Sequence, residues 1–234
     1  MLLEVDGITK FYPGQEKPVL EGITFAVDKG ERVGIVGESG SGKTTLARII
    51  AGLEPADGGS VAFNGAKVDF GESEIESRRA RNRQIRTAWL GMQMVFQNPA
   101  ASFSDHMDIG KAIWEGAAYN ADLGCCDRCA RQEMIASSLE SVGLDSSFMK
   151  RRAFELSGGE CQRAAIARAI IGDPKLIICD EATSALDVTV QARIMSLLEK
   201  LFKEKGMAFI FVSHNIAVVQ RFCDKIYSVS SSCN

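Results

Sequence analysis

Arg32-Val33-Gly34-Ile35-Val36-Gly37-Glu38-Ser39-Gly40-Ser41-Gly42-Lys43-Thr44-Thr45 runs from a short apolar segment through a glycine-rich turn into an amphipathic stretch. From Gly37 to Thr44 it fits the spacing G-x-x-x-x-G-K-[ST]. Glycines at 37, 40 and 42 let the backbone curl until successive N–H groups point inward at phosphate oxygens. Lys43 adds a point charge for the β- and γ-phosphates, and the Thr44 hydroxyl is placed to ligand Mg²⁺. From Thr45 onward Leu46, Ile49, Ile50 and Leu53 recur at helical spacing, with Gly52 as an end signal, so a helix N-terminus faces the anion. The stretch implies a nucleotide and leaves its use to the rest of the chain.

At 234 residues and 46% hydrophobic content, the chain suffices for one large α/β domain or two small ones. Its 27 basic and 30 acidic side chains give a net charge of −3, which recruits neither nucleic acid nor anionic lipid. No apolar stretch reaches the ~18 to 20 residues that cross a bilayer. Met1 to Asp6 lacks a basic region leading into a long apolar one, so the expected location is the cytoplasm. Seven scattered cysteines suggest a reducing compartment rather than a disulfide framework. Cys125, Cys126 and Cys129 include a C-x-x-C pair, but neither His106 nor His214 offers a matching second pair for zinc.

Along the chain, Leu2 to Val27 reads as short strands around a loop at Pro13 to Pro18. Phe11 and Tyr12 precede that loop, as core aromatics or as a face on which a base stacks. Ser60 to Gly65 reads as a strand ending in a turn, and residues 72 to 87, with three glutamates before five arginines, as a solvated helix. Met92 to Phe96 is a buried-strand candidate running into Gln97-Asn98-Pro99. The pattern is then mostly helical to about Arg152, with interruptions at Gly124 and Gly143, and suggests an inserted helical subdomain over about 98–152. Leu156 to Arg163 leads into a helix from Ala164 to Ile171, stopped by Gly172-Asp173-Pro174. Lys175 to Cys179 is a β-rich run ending at Asp180-Glu181. A helix carries Val190, Ile194, Leu197, Leu198 and Leu201 on one face, and Met207 to Val212 is a strand ending at Ser213-His214.

Three apolar runs thus deliver polar residues at their carboxyl ends: the glycine loop after Val36, Asp180-Glu181 after Cys179, and His214 after Val212. In open parallel sheets that edge is where ligands bind, so groups far apart in sequence converge there. Asp180 is placed to hold Mg²⁺ directly or through water, and Glu181 to polarise an attacking water. His214 reads either as a γ-phosphate sensor or, taken alone, as an ordinary side chain at a strand end. Ser157, Gly158 and Gly159 before a helix make a second anion site.

These strings resemble the ATP-binding subunits of ABC transporters, over nearly the whole chain and in the expected order. Leu156-Ser157-Gly158-Gly159-Glu160-Cys161-Gln162-Arg163 is similar to the family signature LSGGQ-x-QR, with Glu160 where glutamine is usual. The resemblance implies an α/β P-loop NTPase fold of the ABC ATPase kind, with a mainly parallel sheet, a small antiparallel β subdomain and an inserted helical subdomain. It implies one ABC domain over 1–234, whose core comprises 1–97 and 153–234. ATP and Mg²⁺ are then the cofactors. Tyr12 is implied as the adenine-stacking aromatic, and Gln97 as the residue contacting Mg²⁺ and a transmembrane partner. Ser157, Gly158 and Gly159 are implied to bind the γ-phosphate of a partner's ATP, and His214 to be the switch histidine. Ser184-Ala185-Leu186-Asp187 is implied as the loop that joins two sites across a dimer. Glu181, His214 and Lys43 form the catalytic set, and Thr44, Gln97 and Asp180 the metal set.

Gln93 to Pro99 and Leu46-Ala47-Arg48 resemble importers of oligopeptides, dipeptides and nickel. That implies permease subunits, a homodimer or a dimer with a paralogous ATPase, an indirect link to a solute-binding protein, and peripheral attachment to the inner face of the cell membrane. No nucleic-acid partner is expected. Two alternatives remain: a non-transport ABC ATPase of DNA repair or translation, and a non-catalytic ATP-binding module. Two departures from the importer group stand out. Ser102-Phe103-Ser104-Asp105-His106 replaces a Ser-Leu-Asn-Pro-Arg-like stretch, and the sequence stops at Ser228 to Asn234, where relatives continue with a hairpin and a tail.

Overall fold

Two kinds of strand organise the described residues of this computed structural model, namely 1–70, 89–117, 126–182 and 187–229. In chain order the first half forms β1 (Leu3–Lys10), β2 (Leu20–Val27), β3 (Arg32–Val36), α1 (Lys43–Ile50), β4 (Gly58–Phe63), β5 (Ala66–Phe70) and β6 (Met92–Val95). Then follow α2 (Ile109–Ala117), α3 (Arg128–Ser141), α4 (Gly158–Ile170), β7 (Leu176–Asp180), α5 (Val188–Lys205), β8 (Ala208–Ser213), α6 (Ile216–Phe222) and β9 (Lys225–Ser228).

Strands β7 and β8 are buried at every position, as their unbroken apolar sequences require of strands covered on both faces. They belong to a five-stranded sheet in the order β6-β7-β8-β3-β9, in which every pairing is parallel. Strand β1 instead alternates buried and exposed positions, and it lies in an antiparallel sheet of order β2-β1-β4-β5 with one face on the core.

The period of two along each parallel strand divides the interior. Ile177, Cys179, Phe209 and Phe211 point into a core shared with α4, α5 and α6. Leu176, Ile178, Ile210 and Val212 point the other way, onto Leu46, Ile49 and Ile50 of α1 and onto the antiparallel sheet. Helix α1 is thereby clamped between the sheets, which fixes the turn that precedes it.

Helices α2 and α3 pack against α4. The segment carrying them leaves and rejoins at one point: Asp108 bridges Arg152, and Ile109 N donates to Arg151 O at 2.8 Å. Helix α3 starts on Asp127, whose side chain accepts from Ala130 N, and gives way at Gly143 with φ +71°.

Several boundaries differ from the sequence reading. Helix α1 begins at Lys43 rather than Thr45, and α4 begins at Gly158 rather than Ala164, because Ser157 and Glu160 cap each other and start the helix inside the signature. Strand β5 was not expected; Asn64 and Gly65, at φ +51° and +88°, turn the chain so that β5 pairs back on β4. Strand β9, unexpected as well, adds to β3. The Arg-rich helix read over 72–87, Gly124 and residues 230–234 lie outside the described residues.

Candidate functional site

The register of the parallel sheet brings the site together. Val36 pairs with Ser213, Asp180 with Val212 and Val95 with Cys179, so β3, β8, β7 and β6 end along one edge. The polar residues following each strand meet there with little further folding.

The loop after β3 is built for an anion. Gly42, at φ +92°, is the N-cap of α1, and a Cβ there would lie 2.8 Å from both Leu20 Cδ2 and Val19 Cγ1. Lys43 is 5% exposed, and its Nζ donates to Gly37 O at 3.0 Å and Glu38 O at 2.5 Å. Two of three ammonium protons thus hold the charge at the centre of the loop. Ser41 N closes the turn onto Glu38 O, while Ser41 Oγ is buried with no hydrogen-bond partner among the described residues. A buried orphan hydroxyl, a buried ammonium and a helix N-terminus on one turn fit an anionic ligand such as a phosphate chain.

Thr44 Oγ1, in the first turn of α1, donates to Asp180 Oδ1 at 3.1 Å. Asp180 is 3% exposed, and burial pushes its carboxyl above the ordinary range; the Thr44 hydrogen bond acts the other way, and the neighbouring Glu181 charge adds to the rise. A buried carboxylate beside a hydroxyl and a second carboxylate is a set of hard oxygen donors that fits a divalent cation.

Glu181 stands at φ +46°, a conformation rarely adopted by residues with a side chain, and its N–H donates to Val212 O at 3.0 Å. That turn aims the carboxylate sideways across the strand ends. Oε2 accepts from Gln97 Nε2 at 2.8 Å, and Oε1 lies 3.4 Å from His214 Nδ1. Gln97, Glu181 and His214 therefore form one row across the adjacent strands β6, β7 and β8. The His214 ring is 57% exposed, so it reaches out over the site rather than filling the core.

Tyr12 is tied to the same loop. Its hydroxyl donates to Glu54 Oε1 at 2.7 Å and lies 3.2 Å from Thr45 Oγ1. Lys10, only 8% exposed, supports this group from 3.7 Å to Glu54 and 5.6 Å above the Tyr12 ring. Phe11, by contrast, is 46% exposed and is not core.

The Ser157 turn opens α4. Ser157 and Gly158 are exposed, and the N–H and hydroxyl of Ser157 bond to Glu160 of its own helix. Gly159 packs so near α5 that a Cβ would stand 2.9 Å from Val190 Cγ1. Asp187 caps α5, accepting from Thr189 N and Val190 N at 3.0 Å each. Ser184, Ala185 and Leu186 lie outside the described residues, as does Cys125; Cys126 is half-buried, Cys129 exposed, and both are free thiols.

The sequence profile of the ABC transporter family matches residues 20–184. The chain belongs to the ABC transporter family. Its fold is that of the family's ATP-binding cassettes, and it is one of the family's ATPases. It is 40% identical over 223 residues to the oligopeptide transport ATP-binding protein OppF of Escherichia coli, an alignment covering 94% of this chain and 63% of that one. It is 35% identical over 233 residues to the dipeptide transport ATP-binding protein DppF of Haemophilus influenzae, covering 96% and 68%. The ABC ATPase thus spans about two thirds of these relatives. Among solved structures it is similar to the dimeric post-hydrolysis state of the ATP-binding cassette MJ0796 bound to ADP and Pi, with a TM-score of 0.81 and 26% identity over 99% of this chain and 97% of that one.

Sequence reasoning missed Glu54 and Lys10 around Tyr12 and the lock between Glu160 and Ser157. Only the last left a local signal, the capping spacing S-x-x-E at 157–160.

Proposed function

We propose that this ABC ATPase binds MgATP between the Lys43 loop of one copy and the Ser157 turn of a second ATPase subunit, hydrolyses it, and so drives a peptide importer. The observation that carries the reading is the row of Gln97, Glu181 and His214 at the edge where Thr44 meets Asp180.

Each part has a separate task. Lys43, the Gly37–Thr45 backbone and the orphan Ser41 hydroxyl hold the phosphate chain. Thr44, Asp180 and Gln97 would hold Mg²⁺, which when bound offsets the β- and γ-phosphate charge. Glu181, oriented by Gln97 and His214, accepts the proton of the attacking water, and His214 turns toward the γ-phosphate. Tyr12, tethered by its hydroxyl to Glu54 and Thr45, offers its ring face to adenine. Glu38 and Ser39 line the loop, Ser157, Gly158 and Gly159 close it from the partner, and Asp187 anchors α5 beside that junction.

Relatives named for oligopeptide and dipeptide transport support peptide as the cargo over nickel. No helix among the described residues is long and apolar enough to cross a membrane, so permease subunits would supply the channel at the cytoplasmic face. A groove of about 560 Å³ walled by Leu53, Trp89, Met92 and Phe96, with Glu115 and Arg168 at its charged side, suits a helical permease segment. It adjoins Gln97 in the chain, which would link permease contact to the row around Glu181.

Glu181→Gln keeps the size of the side chain and removes the base. Its turnover should fall by about a thousandfold while ATP affinity is kept and a dimer accumulates, read by phosphate release and sedimentation. Normal turnover in that variant would end the reading.

A further inference from the structure

Glu160 fastens the Ser157 turn. Its Oε2 accepts from Ser157 N at 2.8 Å and from Ser157 Oγ at 2.7 Å, while Glu160 N reaches back to Ser157 Oγ at 3.4 Å. The hydroxyl has one proton, and that proton is given to the carboxylate. A phosphate oxygen arriving at this turn needs the same proton, since it has none of its own to donate. It also needs the helix N-terminus, where a carboxylate already sits. Two anions therefore compete for one hydroxyl and one helix end.

We propose that Glu160 is a positioning residue that restrains the Ser157 turn, so that docking onto a triphosphate held by a second copy of this chain requires the carboxylate to give up the Ser157 hydroxyl. The inference rests on the composite site proposed above. Glutamine at 160 would keep the capping geometry with a neutral acceptor, whose hold on the hydroxyl is weaker and which does not repel phosphate. The displaced carboxylate has cations to turn to, because Arg151 and Arg163 both act on it. Arg163 is already fixed beside the turn by Gly143 O at 2.9 Å and Gly159 O at 3.4 Å. The Ser157 hydrogen bonds are also the main reason that the Glu160 carboxyl lies below its ordinary range, so the restraint stays charged at neutral pH.

The test uses the full chain in a Glu181→Gln background with MgATP, read by sedimentation velocity. Glu160→Gln should tighten ATP-dependent self-association about tenfold, the scale of one charge-assisted hydrogen bond. Adding Ser157→Ala should shrink that gain to the part due to lost repulsion at the helix end, since no hydroxyl is then contested; a mere helix-cap or charge effect would persist in full. An unchanged or weaker dimer with Glu160→Gln, or an equal gain in the Ser157→Ala background, overturns the inference. If both forms self-associate alike, the composite site stands and only the restraint falls. If both bind a fluorescent ATP analogue yet neither self-associates, composite site and restraint fall together.

Discussion

The Lys43 loop and the Ser157 turn are made of the same parts, glycines and a helix start, yet they differ in what they lack. The first buries its cation and leaves a hydroxyl orphaned. The second is exposed and has already satisfied its hydroxyl with an acid of its own first turn. Their carboxylates move in opposite directions: burial pushes Asp180 up, while the Ser157 bonds pull Glu160 down. The Asp180 carboxyl has lost water to burial, whereas the Glu160 carboxyl has found its donors. The loop thus keeps a buried charge and a spare hydroxyl that fit an anion, whereas the turn has its hydroxyl already bonded within its own helix.

The comparison breaks most directly at Lys43. Lys43→Ala removes the buried positive charge of the loop, so affinity for a fluorescent ATP analogue should fall about a hundredfold, as loss of a charge-assisted phosphate contact implies. Retained affinity would mean that the backbone alone holds the nucleotide and that the two turns are more alike than their composition suggests.

Asp180→Asn sharpens the other half of the contrast. A carboxyl whose pKa is higher folded than unfolded binds more protons in the folded state between the two values, so its burial penalty grows as pH rises through that window and is full above it. Replacing it by a neutral amide, which still accepts from Thr44, should raise Tm by about 2–4 °C at neutral pH without nucleotide, the shift that roughly 1 kcal/mol makes in a domain of this size. The gain should shrink as pH falls below the window, and the variant should lose the extra stabilisation that MgATP gives the parent. Thermal scans from pH 7.5 down to about 4, the ordinary carboxylate range, with and without MgATP, check both; a gain that does not shrink over that span would disconnect it from the buried charge.

Much of this was legible because parallel strands announce themselves. Unbroken apolar runs at 176–179 and 208–212 fix two central strands, and the rule that ligands gather at their carboxyl edge brings Asp180, Glu181 and His214 together without coordinates. What stayed hidden depends on reach rather than pattern. Nothing local says that Gln97 Nε2 spans from β6 to Glu181, or that the chain folds Tyr12 onto Glu54, 42 positions away. Strand β5 was missed for a nearer reason. Its sequence Ala66-Lys67-Val68-Asp69-Phe70 is short and half polar, and only the Asn64-Gly65 pair marks it as the return arm of a hairpin.

The smallest effect is expected at Tyr12, where the two duties of one side chain separate. Its hydroxyl ties the residue to Glu54 and Thr45, while its ring carries the face proposed for adenine. Tyr12→Phe removes only the tether. Glu54 keeps Lys10 at 3.7 Å, so no acid is stranded, and the loss should be about 0.5–1 kcal/mol of stability, or roughly 1–3 °C in Tm. Analogue affinity should change less than about threefold, since stacking needs the ring and not the hydroxyl. Tyr12→Ala should lower affinity further while costing similar stability at this half-buried position. If Tyr12→Phe weakens nucleotide binding as much as Tyr12→Ala, the hydroxyl network around Glu54 shapes the Lys43 loop, and the aromatic face is not the part that matters.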